Sequence, residues 1–220
     1  MNEETNKYFK APVSFARRVG KGFNVRHRKF LNNNKQFLIE NSSQINDQFT
    51  AHILEIGSGN GHHLLNLCKQ NPSSLVIGAE VFLSGVVQSL QNALEQNVQN
   101  LQFFADDVNL LLGLELNFKF SKIYILFPDP WPKRKQNKRR LINTDFITKL
   151  LVKLENEGQI IIATDHPDYA KWVAEHLNQT NMINYQKTDQ APVEYSPTKY
   201  HSKDMAGYNL VTWFYITKRI

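Results

Sequence analysis

The sequence predicts an α/β protein with a doubly wound, mostly parallel sheet. Three observations carry this reading. Short apolar runs of strand length alternate with segments whose apolar residues recur at helical spacing. A glycine-rich turn, "GSGNG", follows the first of these runs, and the C-terminal third holds two strand-like runs with no helix between them.

In chain order, "HILEIG" (52–57) is a short apolar strand followed by a helix with Leu64, Leu65 and Cys68 on one face. "LVIGAEV" (75–81) is the second strand, and residues 85–97 form a helix with Val86, Leu90, Ala93 and Leu94 at helical spacing. "LQFFA" (101–105) and "KIYILF" (122–127) are the next strands. Thr144 is the expected N-cap of a helix through Phe146, Leu150, Leu151 and Leu154, stopped near Gly158, before the strand "QIIIAT" (159–164). Pro167 opens the helix "PDYAKWVAEHLNQ". "INYQKT" (183–188) and "LVTWFYITK" (210–218) are expected to pair antiparallel.

At 220 residues the chain suits one domain with a substantial core, preceded by an arm. We expect residues 1–40 to form a basic, partly mobile arm and 41–220 a single domain. The opening residues carry charges throughout and offer no apolar run fit for a signal peptide, and no stretch approaches a membrane span. The lone Cys68 excludes an internal disulfide and a cysteine-rich zinc site. A cytoplasmic protein is therefore expected, with no obligate protein partner evident and the oligomeric state left open.

Charge is segregated. Residues 5–39 hold nine Lys and Arg and no acid, and residues 133–140 hold six more and no acid, which leaves eleven bases against twenty acids elsewhere. That pattern points to a polyanion partner rather than scattered solubilising charge. Phe9, Phe15, Phe23 and Phe30 are interleaved with the first basic segment and suit either stacking on bases or packing onto the domain.

In a doubly wound sheet, ligands bind outside the carboxyl ends of the strands. Gly57, Gly59 and Gly61 permit a tight turn and close approach of a nucleotide-like ligand; a dinucleotide fingerprint wants its third glycine at residue 62, where the chain has His62. Glu80, nineteen residues past Gly61, ends the second strand and can accept from ribose hydroxyls. Asp106 and Asp107 end the third strand, and one of them belongs near the cofactor. Glu55 lies within the first strand on the face opposite Leu54 and Ile56, where a carboxylate is costly unless it meets a cation. Together these acids point to S-adenosylmethionine, whose tail is cationic, rather than a nicotinamide dinucleotide. At the fourth strand end, "FPDPWPKRKQNKRR" (127–140) fixes Asp129 between prolines beside Trp131, a group able to orient a purine, with cations following to grip phosphates.

These motifs, with "SFARRVGKG", "LEIGSGNG", "GAEV", "ATDHPDYA" and "SPTKYH", resemble the bacterial tRNA (guanine-N7)-methyltransferases over nearly the whole chain. The resemblance implies a Rossmann-like class I methyltransferase fold, with a seven-stranded sheet and an antiparallel last strand. It also implies methyl transfer from S-adenosylmethionine to N7 of the tRNA variable-loop guanine conventionally numbered 46, the tRNA being held through segments 5–39 and 133–140. By that likeness Glu55, Gly57, Gly59, Glu80, Asp107 and Asp129 are cofactor-site residues. Asp129 is also catalytic, and Lys133, Asp165, Thr198, Lys199, Tyr200 and His201 bind substrate. The family usually ends its last motif in glutamate where this chain has His201, which accepts at one nitrogen only when neutral. Guanine N7 already presents a lone pair, so Asp129 is expected to orient the base and not to remove a proton. Thr198 and Lys199 are expected to close over the substrate from a loop. The rival readings are methylation of an exocyclic amine in nucleic acid, an RNA-binding protein with a decayed cofactor site, and a dinucleotide oxidoreductase, the last disfavoured by His62. His62 and His63 are expected at a solvated helix start with no metal, and Trp172, Trp213 and Cys68 in packing roles.

Overall fold

The computed structural model describes residues 18–20, 22–46, 48–195 and 210–219. Strands β1 (Ala51–Ile56), β2 (Ser74–Ala79), β3 (Leu101–Phe104), β4 (Phe120–Leu126), β5 (Leu154–Thr164), β6 (Ile183–Thr188) and β7 (Thr212–Lys218) form one sheet in the order β3-β2-β1-β4-β5-β7-β6. The first five pair parallel, and β7 enters antiparallel between β5 and β6. The antiparallel pairing expected between the last two strands is present.

The period-two alternation of strand side chains builds a core on each face. Leu54, Ile56, Ile77, Ile123, Ile125 and Ile162 point to one side, where helices α4 (Val108–Gly113), α5 (Thr144–Lys153) and α6 (Pro167–Gln179) cover them with Leu111, Phe146, Leu150 and Val173. Ile53, Val76, Phe103, Tyr124 and Ile161 point to the other, where α2 (His62–Gln70) and α3 (Leu83–Glu95) contribute Leu64, Leu67, Val86 and Leu90.

Several boundaries differ from the sequence reading. Asn143, not Thr144, caps α5, its side-chain oxygen accepting from the Phe146 amide at 2.9 Å. Two adjacent N-cap formers compete there, and the first one wins. The helix stops at Lys153, and Gly158 does not end it: Gly158 lies inside β5, which begins at Leu154. The β4–β5 register runs Phe120↔Leu154 and then Lys122↔Gln159, so β5 bulges by three residues just where a helical continuation was expected. Helix α4 was not anticipated; Asp107 caps it by accepting from the Asn109 amide.

The basic arm, expected to be partly mobile, is docked where it is described. Helix α1 (Val25–Asn33) begins with a reciprocal Asn24–His27 capping box and buries Leu31. Phe23 and Phe30 pack half-buried against the core, which favours the packing reading for these two rings, whereas Phe9 and Phe15 lie outside the described residues. Leu83 donates its amide to the Arg18 carbonyl at 2.8 Å, and Ile39 to Phe103 at 2.8 Å, joining the segment to α3 and to the β3 edge.

Candidate active site

The carboxyl ends of β1, β2, β3 and β4 lie side by side, and the loops that leave them carry the predicted acids. After β1 the backbone turns through Gly57 (φ 76°), Gly59 (φ 56°) and Gly61 (φ 79°), all left-handed, where a side chain is strained. The three glycines differ in purpose. A Cβ at Gly61 would sit 1.8 Å from the Ser89 hydroxyl, so Gly61 lets the turn pack on α3, whereas among the described residues nothing lies within 4 Å of a Cβ at Gly57 or Gly59. Those two leave backbone open to a ligand.

Glu80 ties this turn to the second strand. Its Oε2 accepts from the Gly59 amide and its Oε1 from the Phe82 amide, each at 2.7 Å. Burial pushes its pKa above the usual carboxylate value, against the pull of the amides at Phe82, Gly59 and Val81. The carboxylate keeps lone-pair capacity for a ligand hydroxyl. Buried Ser58 Oγ, in the same turn, has no hydrogen-bond partner among the described residues. An open glycine backbone, an anchored carboxylate and an unsatisfied buried hydroxyl fit an adenosine-bearing cofactor.

At the β3 end both aspartates are engaged. Asp107, buried, gives its Oδ1 to the α4 cap. Asp106 pairs with Arg18 and accepts from the Asp107 amide at 2.7 Å. Arg18 thus links the N-terminal segment to the site, a contact that no spacing rule revealed.

Glu55 is placed as expected on the face opposite Leu54 and Ile56, but the nearest cation candidate is His63 Nδ1, 3.4 Å from Oε2 without hydrogen-bond geometry. His63 is therefore a buried residue of α2 and not part of a solvated helix start; His62 is the exposed one. Next to it, burial and the Glu194 carboxylate push the Tyr124 phenol well above its usual pKa, Tyr124 donating to Glu194 at 2.8 Å. Burial, helped by Glu55, also raises the Cys68 thiol far out of the reactive range, which agrees with its packing role. Trp213 is buried, and Trp172 packs half-buried against the core.

The fourth loop is the most strained. Phe127 (φ 51°) and Trp131 (φ 44°) both adopt the left-handed region without being glycine, flanking Pro128–Asp129–Pro130. Such residues cost about 1–3 kcal/mol each and persist only where surroundings hold them. Phe127 donates to the Ala163 carbonyl at 2.9 Å, Arg139 lies over the Trp131 ring at 5.0 Å, and Arg140 Nε donates to the Pro130 carbonyl at 2.9 Å. Asp129 itself stays exposed. Lys133, Arg134, Lys135 and Lys138 are exposed on a 3-10 turn (Arg134–Arg139), as a phosphate grip requires. Arg140 is not: it is buried, ion-paired to Asp168 and stacked over Tyr169 and Trp172. Its expected place among the phosphate-gripping cations is corrected, because α6, which follows only after α5 and β5, encloses it. Asp165 follows the end of β5, half-buried and one residue before the α6 cap His166. Thr198, Lys199, Tyr200 and His201 lie outside the described residues, as does the loop closure expected of them.

The sequence profile of a family described as "Putative methyltransferase" matches residues 50–209. The chain is 38% identical over 188 residues to a tRNA (guanine-N(7)-)-methyltransferase of Wolbachia pipientis, covering 83% of this chain and 84% of that protein. It is 30% identical to a protein of the same description from Neorickettsia sennetsu, covering 90% and 89%. A "Bifunctional methyltransferase" of Rickettsia felis is 35% identical over 94% of this chain, but the chain spans only 40% of its length. Among solved structures, the 16S rRNA methyltransferase KamB superposes with a TM-score of 0.57 at 14% identity, covering 80% of this chain and 92% of that one. An rRNA methylase from Streptococcus thermophilus gives 0.53 at 13%, covering 90% and 99%. At those identities the likeness is one of fold.

Proposed function

Because the chain belongs to the tRNA (guanine-N7-)-methyltransferase family, we propose that it methylates N7 of a guanine in tRNA with S-adenosylmethionine as donor, the target being variable-loop position 46. The observation that carries the reading is the adjacency of two built features: the Gly57–Gly59 turn latched by Glu80, and the strained Pro-Asp-Pro-Trp turn, on neighbouring strands β1 and β4. A tRNA substrate supports a cytoplasmic location for the enzyme; among the described residues no helix is long and apolar enough to cross a membrane.

Gly57, Gly59, Glu80 and Asp107 hold the donor, with Glu80 serving the ribose hydroxyls. Glu55, buried behind the turn, acts through field rather than contact, favouring positive charge at the donor's tail. When bound, the donor supplies a sulfonium methyl whose carbon–sulfur pair returns to sulfur as the thioether leaves. Guanine N7 supplies the new bond from its in-plane lone pair, so no proton has to move and the purine becomes cationic. Asp129, rigid between prolines, accepts from the guanine ring N–H and amine and stabilises the charge that develops. Lys133 and Asp165 flank the base. Lys135 and Lys138 hold phosphates.

The test is transfer from labelled S-adenosylmethionine to tRNA transcripts carrying guanine or 7-deazaguanine at the target position. Label confined to guanine supports the reading. Label that persists on 7-deazaguanine moves the chemistry to another atom, such as an exocyclic amine, and absence of label favours a binding protein.

A further inference from the structure

Arg140 closes the basic run, yet it behaves unlike the cations before it. Its side chain is 1% exposed. A buried guanidinium is tolerated only when its donors are used and its charge is matched. Here Nε donates to the Pro130 carbonyl at 2.9 Å, a terminal nitrogen pairs with Asp168, and the planar group stacks over Tyr169 at 5.4 Å and Trp172 at 4.9 Å. The cage is itself fixed. Trp172 Nε1 donates to the Ile142 carbonyl at 2.6 Å, and the Ile142 amide donates to the Tyr169 hydroxyl at 3.3 Å. The Arg140 pair holds the Asp168 carboxyl below its usual value, although that group is largely in water.

The carbonyl that Arg140 grips belongs to the residue after Asp129, between two left-handed residues that have no local reason to stay so. Prolines at 128, 130 and 132 remove every second backbone donor, leaving only the amides of Asp129 and Trp131 to hold this stretch from within. We propose that Arg140 is a positioning residue for Asp129: it braces the turn against the first turns of α6 and sets the carboxylate, and it makes no contact with tRNA phosphate. The inference rests on the reading of Asp129 as the guanine-facing group. Lysine cannot replace it, because one ammonium on a flexible stem cannot span Asp168 and Pro130 while lying flat on two rings.

The experiment compares Arg140→Lys, Asp168→Asn and their double variant with wild type. It reads kcat and KM for tRNA, Kd for S-adenosylmethionine, thermal midpoint, and the salt dependence of equilibrium tRNA binding. For Arg140→Lys, kcat is expected to fall on the order of 10- to 100-fold, as for a misplacement near 1 Å. Cofactor Kd and the slope of log affinity against log salt are expected to stay at wild-type values. Asp168→Asn should lower kcat less, and should add nothing in the Arg140→Lys background. Because lysine keeps the charge, the salt slope is also read on Arg140→Gln: a slope flattened by about 0.7–0.9 in that variant, with kcat intact in Arg140→Lys, would make Arg140 a phosphate contact and overturn the proposal. A lowered midpoint with kcat and slope intact would make it a fold brace only, and additive effects would separate it from Asp168; either result overturns it too. If Arg140→Lys does not fold, Asp168→Asn decides: reduced kcat at unchanged slope supports the brace, and unchanged kcat refutes it. A wild type that fails to methylate guanine is a failure of the functional reading instead, and the salt slopes still test Arg140 without turnover.

Discussion

Gly85→Ala should weaken the cofactor site from behind. Gly85 sits in the first turn of α3, and a Cβ there would meet the Gly59 carbonyl oxygen at 2.6 Å and its carbon at 3.0 Å. Those are backbone atoms of the cofactor turn, which Glu80 holds through the Gly59 amide at 2.7 Å, so no side chain can swing aside to relieve the clash. Overpacking of this kind costs about 1–3 kcal/mol, while alanine's helix propensity returns up to about 1 kcal/mol. In the free protein the strain can relax by moving Gly59 off Glu80. Binding then requires the turn to return, so the same strain appears as a Kd raised on the order of 5- to 100-fold. Calorimetric titration with S-adenosylmethionine, beside thermal unfolding, reads both parts. Two comparisons isolate the cause. Gly113→Ala has open space and no left-handed φ, and should stabilise by about 0.4–1 kcal/mol with cofactor affinity unchanged. Gly57→Ala has open space but φ 76°, and should show conformational strain of about 1–2 kcal/mol without a clash. A Gly85→Ala variant as stable as Gly113→Ala, with wild-type affinity, would refute the reasoning.

Asp129→Asn should lower kcat steeply at every pH assayed, because a neutral amide cannot match the charge formed on the purine; a loss that tracks one titration would instead mark a general base. Lys135→Gln and Lys138→Gln, both at exposed positions, should each flatten the salt slope of tRNA binding by about 0.7–0.9 and leave single-turnover rates at saturation unchanged. Burial lowers the pKa of His52, which stacks on Phe118, and that of His176, so both favour the neutral form in the folded state. Their contribution is present above the ordinary value of 6.5 and is lost as pH falls from there through the lowered values, so urea stability should drop as pH falls below 6.5. His52→Phe should flatten that drop, and an unchanged pH profile would assign it elsewhere.

What the sequence made legible follows from how local each signal is. Helix α6 could be bounded from Pro167 onward because proline at the first turn and the apolar spacing of Tyr169, Val173 and Leu177 are both written within it. Strand-end acids were legible because the alternation of elements places them before any coordinate is known. Two of the misreadings are cases where a distant element decides, whereas the α5 cap turned on two neighbouring residues, Asn143 and Thr144. Gly158 looks like a helix stop until β4 is there to pair with the bulged strand. His63 looks solvated until Tyr124 and Glu55 close around it. Helix α1 was absorbed into a basic arm because its charge hid the Asn24–His27 box and the single buried Leu31.

Arg140 shows the same limit at the point of most functional consequence. In sequence it is the sixth cation of a run, and composition assigns all six the same role. In the structure the run divides: Lys133, Arg134, Lys135 and Lys138 face solvent, Arg139 covers Trp131, and Arg140 is locked into α6. One short segment thereby joins the phosphate grip to the turn that presents Asp129. A tRNA that settles on the exposed lysines is held by the same rigid 3-10 turn whose last residues fix Trp131 and Pro130. Strain at Phe127 and Trp131 is thus not an incidental cost of the fold. It holds a carboxylate out from a backbone that three prolines strip of every second donor, and the two arginines at the end of the cation run help keep that geometry from relaxing.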